Sequence, residues 1–134
     1  MQYIANMNEM VSTVKRETNG IVSERLPNSV VIAQAVLESG NGKSNAARVK
    51  KNHFGLSLKN GLMSFTHSIE SVFSYFHTLN NNFSYKNLRK TLLREDEDVE
   101  TIVGAISKPY AKDKGYQQKV LNVIEVCDLA KFDI

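Results

Sequence analysis

One cysteine, two prolines and seven glycines are all that this chain holds of the residues that usually dictate special architectures. The lone Cys127 cannot form an internal disulfide, and no histidine or second cysteine stands near it to suggest a zinc knuckle. Its neighbours Val123, Ile124 and Ala130 read as a buried helical stripe, so the thiol is expected to act as a small core hydrophobe. So little proline and glycine excludes a collagenous chain or a low-complexity tether. No apolar stretch is long enough to cross a bilayer. The first segment is broken by Asn6, Asn8, Glu9, Lys15 and Arg16, so it lacks the continuous apolar run of a signal peptide. His53, His67 and His77 are widely spaced and have no metal-ligand context, so neither a metal nor a cofactor is expected.

What is present is ordinary. With 134 residues, 42% of them hydrophobic and 23% charged, the chain reads as a single domain over residues 1–134, large enough to bury a core unaided. A net charge of +3 suits an anionic partner such as nucleic acid, acidic lipid or bacterial cell wall without choosing among them. Arg48, Lys50 and Lys51 form one small basic cluster, and Lys86, Arg89 and Lys90 a second. Apolar residues interleave with both in a way that fits helix packing, and no nucleic-acid-binding motif is present. The basic residues are therefore expected to be solvated faces, and nucleic acid is not the expected partner.

Periodicity predicts a mostly α fold. Ile4, Met7, Val11 and Val14 mark an amphipathic helix over residues 2–18. After breaks at Gly20 and Leu26-Pro27, a second helix opens at Pro27-Asn28; its apolar residues from Val30 to Leu37 cover nearly the whole circumference, so it belongs at the centre. It stops at Ser39-Gly40-Asn41-Gly42. Ser44 is expected to cap a short helix to about Val49. In FGLSLKNGLMSF two apolar runs flank Lys59-Asn60-Gly61, with Asn-Gly the favoured centre of a type I′ hairpin turn and the only credible β-structure. Helices follow from Ser68 to the Asn80–Asn82 cluster, around Tyr85–Leu93, and from Val99 to Ile106 behind the capping run Glu95–Asp98. Residues 108–115 are expected to be a loop in which Asp113 caps a last helix carrying Tyr116, Val120, Val123, Ile124 and Cys127.

The informative feature is a polar pair on the central apolar helix. Gln34 and Glu38 stand four residues apart, on one face. A carboxylate in the last turn of a buried helix meets the negative end of the helix dipole and a low-dielectric surround, and both raise its pKa. A protonated carboxyl near neutral pH is what a general acid needs to donate to a leaving-group oxygen. The alternative is that Glu38 simply reaches solvent at the helix end, and patterning alone favours neither reading. Gly40 and Gly42 remove bulk beside Glu38, which suits the approach of an extended ligand and serves equally well as a helix stop. The hairpin about twenty residues later could form the opposite wall of a groove.

The string PNSVVIAQAVLESGNGKSNAARVKKNHFGL resembles the signature of the glucosaminidase family of peptidoglycan hydrolases, glycoside hydrolase family 73, whose members carry a helix reading roughly AQA-x-LESGWG, a small helix and NLFG. SFTHSIESVFSYFHTLNNNFSYKNLRK resembles the family's helix after the hairpin, and PYAKDKGYQQKVLNVI its Y-A-T-D-x-x-Y segment. The three motifs occur in the family's order over roughly residues 27–126, nearest the short Bax-type branch. The resemblance implies a mainly α, lysozyme-like fold with one hairpin beside a catalytic cleft, and hydrolysis of peptidoglycan glycan strands after N-acetylglucosamine by a bacteriolytic cell-wall enzyme that needs no metal. It places Glu38 on the family's general acid and Tyr110 on the tyrosine at the floor of the cleft. Substrate contacts are then expected from Gln34, Gly40, Asn52, Phe54, Asp113 and Tyr116. Packing is an equally good role for Tyr116 at a helix start, and Phe54 suits a core plug as well as a sugar platform.

Two departures stand out. Asn41 occupies the place of a family aromatic, which removes one sugar-stacking contact. Many relatives carry a second carboxylate on the hairpin, and FGLSLKNGLMSF has none, although a two-carboxylate mechanism needs one. The substrate's N-acetyl group could attack in its place, with Tyr110 orienting it. Glu70 could act on water, or it could simply favour the start of its helix. A lytic transglycosylase or muramidase acting after N-acetylmuramic acid is the runner-up reaction, and a non-catalytic peptidoglycan-binding or virion structural module the second alternative. Action on peptidoglycan, by a monomer in the periplasm or cell wall, implies a trimmed, virion-associated or phage-released form, since the chain carries no export signal.

Overall fold

The computed structural model describes residues 2–134. Helix α1 (Gln2–Glu17) buries Ile4, Met7, Val11 and Val14, the stripe that the spacing predicts, and ends in Lys15 and Arg16, whose charge suits the negative end of the helix dipole. A short α2 (Ile21–Arg25) follows; five residues are too few to show a period, and the sequence did not predict it. Helix α3 (Asn28–Ser39) begins directly after Pro27, whose ring presets the backbone angle of a helix start. Its residues from Ser29 to Val36 are all buried. Val30, Val31 and Ile32 have no exposed surface, and each such side chain contributes about 1.5–3 kcal/mol by leaving water. α3 is the axle of the domain, packed between α1, the final helix and the C-terminal 3-10 turn.

Ser44 caps the single-turn α4 (Asn45–Arg48) by accepting from the Ala47 amide at 3.1 Å. Strands β1 (Ser57–Leu58) and β2 (Gly61–Leu62) form an antiparallel pair in which Leu58 faces Gly61, so the two turn residues are Lys59 and Asn60. This corrects the expected type I′ turn centred on Asn-Gly by one residue. Neither Lys59 nor Asn60 takes a positive φ; Gly61, with φ of 114°, absorbs the left-handed conformation at the first residue of the returning strand.

Helix α5 (Ser68–Asn81) buries Val72, Tyr75, Phe76 and Leu79. A 3-10 turn at Phe83–Tyr85 leads into α6 (Lys86–Leu92), and Asp98 caps α7 (Val99–Tyr110) by accepting from Thr101 N at 2.8 Å. The expected loop at 108–110 is instead the last turn of α7. Pro109 there forfeits only its own N–H bond, and its φ is helical by construction, so the helix carries on to Tyr110. Asp113 then accepts from Gly115 N at 2.8 Å in a turn that launches α8 (Tyr116–Val126). Cys127 follows as the C-cap and is half-buried against the core rather than inside it, because the helix ends one residue earlier and Ala130 is exposed. A 3-10 turn at Leu129–Asp133 closes the chain and lays Leu129 into the core. Among the described residues no helix is long and apolar enough to cross a membrane.

Candidate active site

Glu38 sits in the last turn of α3, where the chain leaves the core. The helix stops because Gly40 adopts a left-handed conformation, φ 57° and ψ 50°, and returns its N–H to the Val36 carbonyl. Ser39 pins the reversal: its Oγ accepts from Gly42 N at 2.8 Å and lies 3.0 Å from the Tyr3 hydroxyl. Tyr3 in turn contacts His53 Nδ1 at 2.9 Å, and His53 Nε2 meets Ser68 Oγ at 2.8 Å. Burial, helped by the nearby Lys51 charge, lowers the His53 pKa, which fits a neutral ring that accepts at one nitrogen and donates at the other. The end of α3, the start of α1, the loop at 53 and the start of α5 are thereby tied into one polar seam.

Asn52 fixes the opposite wall. Its side-chain amide donates to the Leu56 carbonyl at 2.9 Å and the Met63 carbonyl at 3.1 Å, and its Oδ1 accepts from Leu56 N at 3.1 Å, so one buried side chain clasps both flanks of the hairpin. Phe54 is turned inward and stacks on Tyr75 with ring centroids 4.2 Å apart. Its carbonyl accepts from the Tyr110 hydroxyl at 2.7 Å, which joins the end of α7 to the foot of the hairpin. The next residue, Gly55, has φ of 68° and passes directly against the Glu38 carboxylate.

Between these walls lies a cleft of about 450 Å³ bordered by Glu38, Phe54, Met63, Thr78, Tyr85 and Tyr110. Glu38 is the only carboxylate among its lining residues. Partial burial raises the Glu38 pKa above the usual glutamate range, and the Tyr116 hydroxyl pulls the other way by hydrogen bonding to the ionised form. Tyr116 stands at the end of a buried relay: Tyr75 donates to Gln34 Oε1, and Gln34 Nε2 donates to the Tyr116 hydroxyl at 3.2 Å. Since Gln34 satisfies the Tyr116 oxygen, the Tyr116 proton is free for the carboxylate. Tyr110 stacks on Tyr116, 5.8 Å between centroids and 9° between planes, and burial drives its phenol well above the ordinary tyrosine range, so it stays protonated.

Of the residues expected from sequence, Glu38, Phe54 and Tyr110 line the cleft together. Gln34 and Tyr116 stand behind Glu38, and Asn52 lies beneath the hairpin. Gly40 is exposed beyond the helix end and borders no part of the cleft. Asp113 pairs with Lys119 at 2.7 Å and lines a separate depression at the start of α8. Glu70 is likewise outside the cleft lining; its Oε1 accepts from His67 N at 2.7 Å, capping α5. The expected helix-start role is the one its carboxylate performs. Sequence reading missed Gly55, Tyr85 and the polar face of α5 at Ser74, Thr78 and Asn82. The last was legible as an i, i+4, i+8 stripe beside the apolar one.

A helical domain whose cleft opens at the end of its most buried helix, with a small hairpin along one wall, is of lysozyme-like build. The chain belongs to the glucosaminidase family, described as mannosyl-glycoprotein endo-beta-N-acetylglucosaminidase, whose model matches residues 21–129. Among solved structures it is similar to the catalytic domain of the autolysin Auto from Listeria monocytogenes, with a TM-score of 0.78 at 20% sequence identity, covering 98% of this chain and 86% of that one. No curated protein sequence matches the chain. The family identifies the protein as a glycoside hydrolase of the cell-wall-degrading kind.

Proposed function

We propose that the protein hydrolyses the glycosidic bond after N-acetylglucosamine in peptidoglycan glycan strands, with Glu38 as general acid. The observation that carries this reading is that Glu38 is the one carboxylate among the residues lining the cleft, with a pKa raised by desolvation. Glu38 protonates the glycosidic oxygen as the bond to the anomeric carbon breaks. With no second carboxylate bordering the cleft, the acetamido oxygen of the N-acetylglucosamine bonds to its own anomeric carbon as the next sugar leaves with the protonated oxygen, and holds that carbon as an oxazolinium ion. Water then opens that ring, giving its proton to the Glu38 carboxylate and restoring the acid. Tyr110 frames the sugar from below, and the Tyr116 hydroxyl stabilises Glu38 while it is ionised. The cell wall is accordingly the site of action.

The second reading, a lytic transglycosylase, also needs only one acid and is favoured by the same missing partner. Sacculi treated with the wild-type protein and with Glu38→Gln decide the first point: equal solubilisation by both removes the catalytic assignment. Mass analysis of the fragments decides the second. Reducing N-acetylglucosamine ends are expected, and a product set made only of anhydro-muramyl ends would establish the transglycosylase instead.

A further inference from the structure

A depression larger than the cleft that holds Glu38 lies beside it. It is a groove of about 650 Å³ on the adjoining stripe of α5, walled by Ile21, Phe73, Phe76, Asn81 and Arg89. Ser74 and His77 border both hollows, so a single ridge of α5 separates the groove from the cleft. Arg89 is the only Lys, Arg, Asp or Glu that lines the groove. Its Nη1 donates to the carbonyls of Leu79 at 2.7 Å and Asn82 at 2.9 Å, which hold the guanidinium in place. Among the described residues the Nη2 and Nε hydrogens have no acceptor and no carboxylate pairs with the group. Phe73 and Ile21, both partly exposed, give the walls an apolar character beside this unneutralised charge.

A plain glycan chain has no use for such a side branch. Peptidoglycan is not plain, because every N-acetylmuramic acid carries a short acidic peptide on its lactyl ether. Resting on the function proposed above, we infer that the α5 groove receives this peptide while the sugars lie in the cleft. Phe73 and Ile21 take its alanyl methyl groups, and Arg89 forms a forked contact with one of its carboxylates.

The groove predicts that kcat/KM is roughly tenfold higher on peptide-bearing glycan strands than on the same strands stripped by an amidase, about one favourable contact's worth of discrimination. Phe73→Ala, at a partly exposed position where folding is not at stake, moves that ratio toward one, as does Arg89→Gln. A wild-type ratio of one overturns the inference while leaving glycan hydrolysis intact, since the stripped strands report hydrolysis alone. A binding measurement independent of turnover completes the test. Titrating a soluble muramyl tripeptide into isotope-labelled Glu38→Gln protein is expected to shift the amides of residues 19–21, 73–77 and 89. Shifts confined to the cleft, or none, also overturn it.

Discussion

Gly55 stands directly against Glu38: a Cβ built on it would lie 3.0 Å from Oε1, and its φ of 68° is one that L side chains adopt at a cost. The wall of the cleft thus leaves no room for a side chain beside the Glu38 carboxylate. Gly55→Ala adds both the strain of a left-handed residue, about 1–2 kcal/mol, and a methyl group that pushes the carboxyl from its position. The expected result is a lower thermal midpoint together with a larger fall in kcat than in KM. A variant with wild-type kcat would show that the contact has no bearing on the acid.

If Glu38 is the general acid proposed above, its pKa, raised by burial, is expected to shift the pH range of activity in a defined direction. The acid must be protonated, so activity falls on the alkaline side as pH passes through this pKa, at a higher pH than an unperturbed glutamate at 4.5 would give. The linked effect on stability has the same sign. The folded state binds this proton more tightly than the unfolded chain does, so the stability linked to it is full below 4.5 and is lost as pH rises through the folded value. Glu38→Gln should therefore raise the thermal midpoint at neutral pH, with the gain vanishing in acid. A constant gain at all pH values would contradict burial as the cause.

Removing the Tyr75 hydroxyl separates packing from polarity. Tyr75→Phe keeps the ring against Phe54 but strips Gln34 Oε1 of its buried donor, a loss of about 1–3 kcal/mol by chemical denaturation. With Gln34 free to turn, its grip on Tyr116 loosens and the alkaline limb of the activity profile moves upward. An unmoved limb would mean that the relay serves stability alone.

His53 offers a second titration, of opposite charge. Its lowered pKa means that the unfolded chain binds this proton more readily, so stability is full above 6.5 and declines as pH falls through the folded value. Asp98 and Asp113, whose pKa values lie below 3.8, lose their contributions only in stronger acid. The decline that sets in as pH falls below 6.5 should disappear in His53→Gln, as followed by thermal midpoint against pH.

The parts of the fold that were legible in the sequence are those with long, regular patterning. The α1 stripe and the all-round burial of α3 needed no partner to be read, and the anomaly of Glu38 followed from the second. Short or compensated features were not legible. α2 has no room for a period, and the helical turn at Pro109 is permitted by its position at a helix end, which sequence treats as a stop. The pairing of Gln34 with Tyr75 spans 41 residues and depends on how two helices cross. Gly55 is distinguished from the other glycines only by the carboxylate that happens to face it.

The two ends of α3 are held by the two ends of the chain. Asp133 Oδ1 accepts from Ser29 N at 2.8 Å where the helix begins, and Tyr3 meets Ser39 where it finishes. Both tethers lie outside residues 21–129, the stretch that matches the family model. Excising that stretch as a minimal unit would therefore leave α3 unclamped at either terminus, and useful cloning boundaries must keep Tyr3 and Asp133 inside them.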